Sequence, residues 1–479
     1  MPHTQPAATA PNHTSSAVEP YFWATADQGG ASVTWSPDLG TLAAKTPGPL
    51  NPDWDAWAQI LAFGAPLAGR TPFTQFRRLQ PEEEFVVAEG AGRGAGDVVR
   101  KRRWSWAGID VDPQLEPEDL TDHVLTAIRS AIARLPEGHL NPMLSGGRDS
   151  RLLTALALVE RGNQNLTAWT TSSDTGTSME ELVAARVARI LEIDHQIIAP
   201  QHSQFAEEFA DYARAVEYMS SFHVWLMPVA RELTKSPGTI LDGLGGGVIL
   251  GGGFPDEPQL SAGATDEDIL ASRFTRMARY LDAAEDVFTP GVSQVLKERC
   301  WSDFQAVAEP FAQHPNGATL TAYLTRTLPG ISMAPTRVLG SAQPTVMPIV
   351  DDDVVTAALQ IQHAKKDDGA WYPHLLKTVD SRLTELPTAA DLTRRRQHVR
   401  RGASAAAARW YRDLLLGSSV EPLLSERLRT AEIAHWSALL SKTKPQHLIR
   451  GLAMLVLWCD EYGERLNSVH PPYLEDAGV

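Results

Sequence analysis

The chain has 479 residues, which is enough for two or three domains that share a sizeable core. Its formal net charge of -15 at pH 7 argues against a nucleic-acid-binding surface, and its two cysteines argue against a disulfide framework or a thiolate zinc site. No apolar run reaches about 18 residues, so we expect a cytoplasmic protein without a membrane span.

The N-terminal region predicts a tail followed by a small β-rich unit. Residues 1–19 are rich in Pro, Ala, Thr and Ser and lack the basic start and apolar core of a signal peptide, so they predict a disordered tail. Alternation then predicts strands at 21–25 and 31–35 around a turn, a helix at 54–63 and a strand at 84–88. These elements predict a unit spanning residues 20–107.

An acidic, Pro-rich linker at 108–117 leads into a predicted helix at 118–135. Its apolar positions, Leu120, Val124, Ile128 and Ile132, recur every four residues and form one stripe. This helix leads into the stretch that contains the strongest motif of the sequence.

That stretch is the segment 141–150, Asn-Pro-Met-Leu-Ser-Gly-Gly-Arg-Asp-Ser, which reads as a strand, a Gly turn and a helix N-terminus. Unpaired N–H groups and the helix dipole favour an anion there. The hydroxyls of Ser145 and Ser150 add hydrogen-bonding capacity. Asp149 would repel a bare phosphate, so its presence favours a Mg²⁺ ion shared with the phosphate. An ordinary βα turn with a capping Asp is the alternative.

Strands and helices alternate beyond this turn, with strands at 166–171 and 195–198 and helices at 179–191 and 224–234. This order predicts a parallel sheet with right-handed crossovers, which binds ligands at the carboxyl ends of its strands. Residues 170–173 are therefore expected at the same edge of the sheet as Ser145. Thr170 and Thr171 either contact a nucleotide there or only make hydrogen bonds within the turn. Four histidines show no metal-ligand spacing and are interpreted as structural or surface residues: His123, His139, His195 and His223.

A Gly-rich run at 243–253 follows a predicted strand at 239–242. Such a run after a strand indicates close approach of the backbone to another group, and a flexible loop is the alternative. Residues 260–340 look helical, and three further helices are expected from Ala403 to about Glu464.

The pattern Ser-Gly-Gly-x-Asp-Ser at 145–150 resembles the pyrophosphate loop of the ATP pyrophosphatases, and its surroundings resemble the asparagine synthetase family. β-Lactam synthetases and lasso peptide cyclases are among the relatives. The resemblance covers about residues 20–400. It implies an α/β fold with a parallel sheet of the adenine nucleotide α-hydrolase type, a truncated glutaminase-like β-rich remnant at 20–107, a synthetase-like domain at 118–402 and a helical C-terminal extension at 403–479.

The resemblance also implies ATP and Mg²⁺ as cofactors. It assigns Asp149 to the metal and to catalysis, together with a basic residue that binds phosphate. Arg395 and its neighbours Arg394 and Arg396 are the candidates for that residue, and a solvated basic loop is the alternative. With Arg400 and Arg401 they form the one Lys/Arg block that looks like a phosphate-tracking patch. The implied nucleotide contacts are Leu144, Ser145, Gly146, Gly147, Asp149, Ser150, Thr170, Thr171, Gly243 and Gly245.

Several positions depart from the family pattern. Leu244 stands where asparagine synthetases have Glu and β-lactam synthetases have Tyr, and Gly247 stands where a second Mg²⁺-binding Asp is usual, with Asp242 as a replacement within reach. The element at 347–355 resembles the family's Pro-Phe-Leu-Asp segment, and its Asp351 serves either as a helix cap or in the site. Position two is Pro, not the glutaminase Cys, and the first cysteine is Cys300.

The resemblance therefore implies ATP-dependent amide formation through an acyl-adenylate, with release of AMP and pyrophosphate. The expected partners are a small-molecule or peptide carboxylate and an amine donor, with a biosynthetic partner protein left open and no nucleic acid or membrane. The missing cysteine favours a lasso peptide cyclase or natural-product amide synthetase over an asparagine synthase that uses free ammonia. A degenerate nucleotide- or partner-binding protein is the second class, and a thiolation-type ATP pyrophosphatase is a weaker third.

Overall fold

The computed structural model describes residues 22–27, 30–87, 98–102, 104–171, 179–257, 260, 263–392 and 401–478. The expected tail at 1–19, residue 88 of the predicted strand, residues 172–173 of the predicted sheet edge and Arg394, Arg395, Arg396 and Arg400 lie outside these residues. Within them no helix is both long and apolar enough to cross a membrane.

The strands fall into an antiparallel group near the N-terminus and a parallel group in the middle of the chain. The first two antiparallel strands, β1 and β2, pair with each other, and β1 also pairs with β3. The strands are β1 Phe22–Asp27, β2 Gly30–Ser36, β3 Arg77–Arg78, β4 Glu83–Val87, β5 Val98–Arg102, β6 Leu140–Pro142, β7 Thr167–Thr171, β8 Asp194–Ile198, β9 Thr239–Leu241 and β10 Thr345–Val346.

The parallel strands bear out the predicted α/β class. Hydrogen bonding joins β10, β9 and β6 in one parallel group and β7 and β8 in another, and parallel bridges from Leu140 to Leu166 and from Met143 to Trp169 connect β6 to β7. The resulting order is β8-β7-β6-β9-β10. Because all five strands run in one direction, the segments after β6, β7 and β9 emerge at the same edge.

Helices make up most of the rest. The α-helices are Leu39–Lys45, Trp54–Phe63, Thr121–Ala133, Arg148–Arg161, Met179–Leu191, Phe205–Ala215, Met227–Leu233, Gly246–Ile249, Asp266–Met277, Ala284–Val287, Val292–Ala308, Gly317–Ala322, Gly340–Ala342, Asp352–Gln360, His363–Lys366, Tyr372–Asp380, Ala389–Leu392, Ala405–Leu415, Glu426–Arg429, Ile433–Leu440, Thr443–Tyr462 and Tyr473–Asp476. Two π-helical segments are Tyr323–Ile331 and Ala334–Leu339. The 3₁₀ turns are Trp106–Gly108, Pro117–Leu120, Asn163–Asn165, His202–Gln204, Val224–Leu226, Arg279–Ala283, Glu309–Phe311, Pro348–Val350, Asp367–Gly369, Ser381–Leu383, Arg401–Ala403 and Glu421–Leu423.

Predicted helices start and stop close to the predicted positions where local signals are strong. The helix Trp54–Phe63 has the predicted bounds because Asp53 accepts a hydrogen bond from the Ala56 N–H (3.0 Å) and Gly64 ends it with a φ of 93°. The helix predicted at 118–135 is Thr121–Ala133, since residues 117–120 form a 3₁₀ turn, and its stripe at Val124, Ile128 and Ile132 is buried.

In the irregular regions one alternative is excluded and one prediction was wrong. The flexible loop, given as the alternative for the Gly-rich run, does not describe all of it, because Gly246–Ile249 forms a short helix. Beyond Ala403 there are four helices before residue 464, not three, since Glu426–Arg429 forms an additional turn capped by Ser425. Neither element has an apolar repeat long enough to be recognised from periodicity.

The N-terminal and C-terminal parts of the chain share one core. Trp458, on the helix Thr443–Tyr462, packs against Trp57 and Phe73 with ring centroids 5.2 Å away in each case. The Leu50 N–H also donates to the Arg465 carbonyl at 2.7 Å. The β-rich N-terminal region is therefore packed on the C-terminal helices, and the domain boundaries expected from the sequence stay predictions.

Replacing Trp458 by Ala should destabilise the fold by about 3–5 kcal/mol, because it removes a fully buried indole that joins both ends of the chain. Chemical denaturation followed by tryptophan fluorescence and circular dichroism measures the change. Trp35→Ala, at a partly exposed indole, is the matched control and should cost much less. Equal effects of the two substitutions would contradict a shared core.

Candidate active site

The loop after β6 is hydrogen-bonded to the two neighbouring strands, β9 and β7. The Met143 N–H donates to the Leu241 carbonyl and the Leu144 N–H to the Trp169 carbonyl, both at 2.8 Å. The chain then turns through Ser145 and starts the helix Arg148–Arg161, whose N-cap is Gly147 and carries no side-chain cap. First-turn N–H groups without a side-chain cap are free to bind an anion.

Serine hydroxyls fix the shape of this turn. The Ser145 N–H donates to the Ser150 hydroxyl oxygen, the two hydroxyl oxygens are 3.0 Å apart, and the Gly147 N–H donates to the Ser145 hydroxyl oxygen at 3.1 Å. Both hydroxyls lie in the wall of a cavity of about 450 Å³. The predicted strand, turn and helix are therefore present with both serines at the cavity.

The two glycines of the turn have different surroundings. A Cβ on Gly146 would lie 2.6 Å from the Ala389 Cβ and 3.1 Å from the Glu180 Cα, so this glycine is required by packing behind the turn. Gly147 lines the cavity, and a Cβ there would meet only the Ser145 hydroxyl at 3.2 Å. Gly146 is not among the residues that line the cavity.

A half-buried carboxylate lies at the start of the helix. Asp149 accepts hydrogen bonds from the Tyr372 hydroxyl and from the Gly247 N–H. Burial nevertheless raises the pKa of Asp149, despite these donors and the nearby Arg148 guanidinium. The negative charge of Asp149 is therefore only partly compensated by the protein.

A second carboxylate, Asp242, follows β9 at the same edge. Its side chain accepts from the Leu244 N–H at 2.9 Å, while burial and then the neighbouring Asp149 raise the pKa of Asp242 to about 6. Both residues line the cavity. Two hard oxygen donors whose charge is only partly compensated fit a Mg²⁺ ion that takes its other ligands from water and phosphate. Among the described residues there is no cluster of three or more His, Cys, Asp or Glu that could hold a metal ion.

The Gly-rich run packs on this acidic pair. A Cβ on Gly246 would collide with the Asp149 carboxyl group, and Gly245, with a φ of 87°, would place one 2.5 Å from Val350. Gly247 is exposed, lacks a left-handed φ, and would bring a Cβ no closer than 3.6 Å to the Asp149 carboxylate. The prediction of close backbone approach holds for Gly245 and Gly246.

Most but not all of the residues predicted to contact a nucleotide line the cavity. Thr171 lines the cavity, whereas Thr170 is buried and donates its hydroxyl to the Leu144 carbonyl at 2.6 Å while contacting His195. The predicted residues that line it are Leu144, Ser145, Gly147, Asp149, Ser150, Thr171, Gly243 and Gly245.

Other predicted site residues lie elsewhere. Asp351 caps the helix Asp352–Gln360 and pairs with Arg134 at 3.0 Å, which bears out the capping interpretation. Arg401 does not belong to a solvated basic loop, because it is buried in an ion pair with Glu208. The phosphate-gripping role given to Arg395 falls outside the described residues and stays a prediction.

Three further residues line the cavity without a sequence signal that identified them. His223, interpreted above as structural or surface, lines the cavity and has a left-handed φ of 63°, and its role stays a prediction. Arg326 reaches the cavity from the π-helical segment Tyr323–Ile331, and Trp225 from a 3₁₀ turn. Bulky residues with positive φ are typical of functional sites, but neither φ nor a π-helix can be read from composition or periodicity.

Both cysteines are structural. Cys300 and Cys459 are buried, and burial raises the pKa of each thiol, to about 12 for Cys459. A thiol with a raised pKa is a poor nucleophile. Neither cysteine lies at the cavity.

A comparison with models of protein families matches residues 127–460 to Asparagine synthase. A search of curated proteins finds no match to the chain. The matched residues include β6 to β10, the turn at Ser145, both half-buried carboxylates and the Gly-rich run, and extend through most of the helix Thr443–Tyr462. With the match spanning well over half of its length, the chain belongs to the asparagine synthase family.

Proposed function

We propose that this chain, as a member of a family of ATP-dependent ligases that make amides, activates a carboxylate with ATP as an acyl-adenylate, releases pyrophosphate, and passes the acyl group to an amine with release of AMP. The observation that carries the proposal is the pair Asp149 and Asp242 beside an uncapped helix N-terminus at one end of the cavity. The parallel strand order supports a sheet of the ATP-pyrophosphatase type.

The residues of the phosphate end have distinct roles in this proposal. First-turn N–H groups of the helix Arg148–Arg161 and the hydroxyls of Ser145 and Ser150 bind the leaving pyrophosphate. Asp149 and Asp242 hold Mg²⁺, which supplies positive charge against the phosphates when bound. Asp242 thus takes over the ligand position that Gly247 no longer provides.

The amine must lose a proton when it attacks the acyl carbon. Leu244 is buried at the cavity and has no proton acceptor, and burial with the charges of Arg326 and Arg450 lowers the pKa of His223 to about 3. A neutral imidazole with so low a pKa is a weak base. The proton therefore goes to water or to another group, and the chain contributes mainly positioning and charge stabilisation.

The substrate class favoured by the cavity is a peptide or natural-product acid, as in lasso peptide cyclases and natural-product amide synthetases. The lining of the cavity includes large apolar side chains, among them Trp225, Leu226, Phe254 and Ile331. Such a wall suits a larger apolar body better than the small polar aspartate that an ammonia-using asparagine synthase would bind. The ammonia-using enzyme is kept as the alternative.

A catalytically degenerate protein is the second candidate. It is favoured by one observation, the hydrogen bond from the Tyr372 hydroxyl to Asp149, because this bond occupies an oxygen that a metal ion would need. Gly247 also favours this candidate, because it leaves the site with one carboxylate fewer than the family pattern. Exchange of labelled pyrophosphate into ATP separates the two candidates.

The chain should have no glutaminase activity, because its two thiols are buried away from the cavity. Incubation with glutamine should give no more glutamate than an enzyme-free control. Release at roughly one per second, an ordinary enzymatic rate, would show that another nucleophile is at work.

Asp149→Asn should lower carboxylate-dependent pyrophosphate exchange roughly 10²- to 10³-fold, since it removes one charge that stabilises the transition state through the metal. Asn keeps the size of the side chain and its capacity to accept from Tyr372. Asp122→Asn is the matched control, because Asp122 also lies in the first turn of a helix but is exposed. Unchanged exchange in Asp149→Asn would overturn the assignment of the metal site.

Gly247→Asp should lower the Mg²⁺ concentration needed for exchange, because it adds a carboxylate beside Asp149 at a position with room for a Cβ. Gly108→Asp, at an open surface position, is the control. A titration of exchange against Mg²⁺ measures the effect. If wild type shows no pyrophosphate exchange with any carboxylate tested, and Gly247→Asp does show exchange, the chain is a degenerate synthetase and the proposed activity is wrong.

A further inference from the structure

A cluster of arginines adjoins the cavity that contains the phosphate turn. Arg326 lines the cavity, and its guanidinium lies 4.9 Å from the ring centre of Phe222 and 5.2 Å from that of Phe254. Its Nε is buried and has no hydrogen-bond partner among the described residues. An aromatic clamp of this kind holds a guanidinium in a fixed plane, ready for a planar ligand.

Two more arginines stand behind Arg326. Arg279 and Arg326 both interact with the phenol of Tyr280, and the charges of Arg326 and Arg450 both act on His223. Among the described residues no salt bridge joins any of these three arginines to Asp or Glu. Buried positive charge without an acidic partner favours the binding of an anion.

The backbone around Arg326 is also unusual. His223 and Phe254 both line the cavity and have left-handed φ values of 63° and 66°. Arg326 itself belongs to a π-helical segment. Bulky residues in that region and π-helices both cost stability and concentrate at binding and catalytic sites.

The phosphates of ATP have other partners in the proposed function, namely the first-turn N–H groups of the helix Arg148–Arg161, the hydroxyls of Ser145 and Ser150, and a Mg²⁺ ion. Arg326 enters the same cavity from a different element, the π-helical segment Tyr323–Ile331, and lies beside the ring of Phe254. Arg326 is therefore left for a second anionic group of the ligand.

We propose that Arg326 binds a second carboxylate of the acid substrate, one that is not activated, and that no ammonium group stands next to it. The proposal rests on the proposed function, in which the first carboxylate is activated at the phosphate end. A planar guanidinium matches a carboxylate in two hydrogen bonds. An adjacent ammonium would lie close to the Arg326 guanidinium, with the charges of Arg279 and Arg450 behind it, so free aspartate or glutamate is disfavoured there.

Calorimetric binding to the full-length chain without nucleotide tests the site independently of turnover. The matched probes are N-benzoyl-L-glutamate and N-benzoyl-4-aminobutyrate, which differ only in the second carboxylate, with free L-glutamate as the ammonium-bearing comparator. Wild type should bind the diacid roughly 10- to 100-fold more tightly than the monoacid, as for a charge-assisted hydrogen bond, and more tightly than L-glutamate.

Arg326→Gln should abolish the preference for the diacid and leave the affinity for MgATP unchanged. Arg326→Lys keeps the charge and should retain part of the preference, which separates recognition from packing. Arg276→Gln, on a nearby arginine that pairs with Glu257, is the control and should behave as wild type.

Three results would overturn the proposal: no preference in wild type, an unchanged preference in Arg326→Gln, or weaker MgATP binding in Arg326→Gln with the preference intact. Pyrophosphate exchange is measured on the same preparations. A preserved diacid preference without exchange would support the carboxylate site and count against the proposed function alone.

Discussion

Asp149 and Asp242 are half-buried in the lining of one cavity at the edge of the parallel sheet, and the protein compensates their charge only in part. Burial raises the pKa of both carboxyl groups, and the charge of Asp149 raises the pKa of Asp242 further. Position 246 needs glycine because a side chain there would displace Asp149. In the proposed function, the helix N-terminus, the glycine run and the strand order place the two acids where a cation and phosphate can neutralise them.

Much of this end of the cavity could be predicted from the sequence because its signals are local. The strand, Gly turn and helix around Ser145 and the glycines after β9 are contiguous, and each has a distinct conformational signature. Which of two neighbouring hydroxyls faces the cavity could not be predicted. Thr170 and Thr171 are adjacent on one strand, but only Thr171 lines the cavity. Which side of a strand faces a ligand depends on the sheet order.

The part of the cavity lining around Arg326 could not be predicted, because it is assembled from segments that are distant in the sequence. His223, Phe254 and Arg326 come from three stretches without regular periodicity, and tertiary packing alone brings them together. Tyr372 reaches Asp149 from a helix more than two hundred residues away in the chain. The same holds for Trp458, whose contact with Trp57 ties the C-terminal helices to the N-terminal region.

The acidic pair and the arginines around Arg326 have opposite electrostatic requirements. The acidic pair requires a cation before an anionic phosphate can approach, whereas no salt bridge among the described residues gives these arginines a carboxylate partner, so they favour an anion. Apolar side chains, among them Trp225, Phe254 and Ile331, line the same cavity, where each charge is weakly screened and requires a partner of its own. Under the two proposals, a substrate meets both requirements at once only if it is anionic at two positions, with one carboxylate at the metal-bound nucleotide and the other at Arg326. The binding energy gained at Arg326 would then hold the reacting carboxylate at the α-phosphate, which would compensate for the absence of a polar side chain at Leu244.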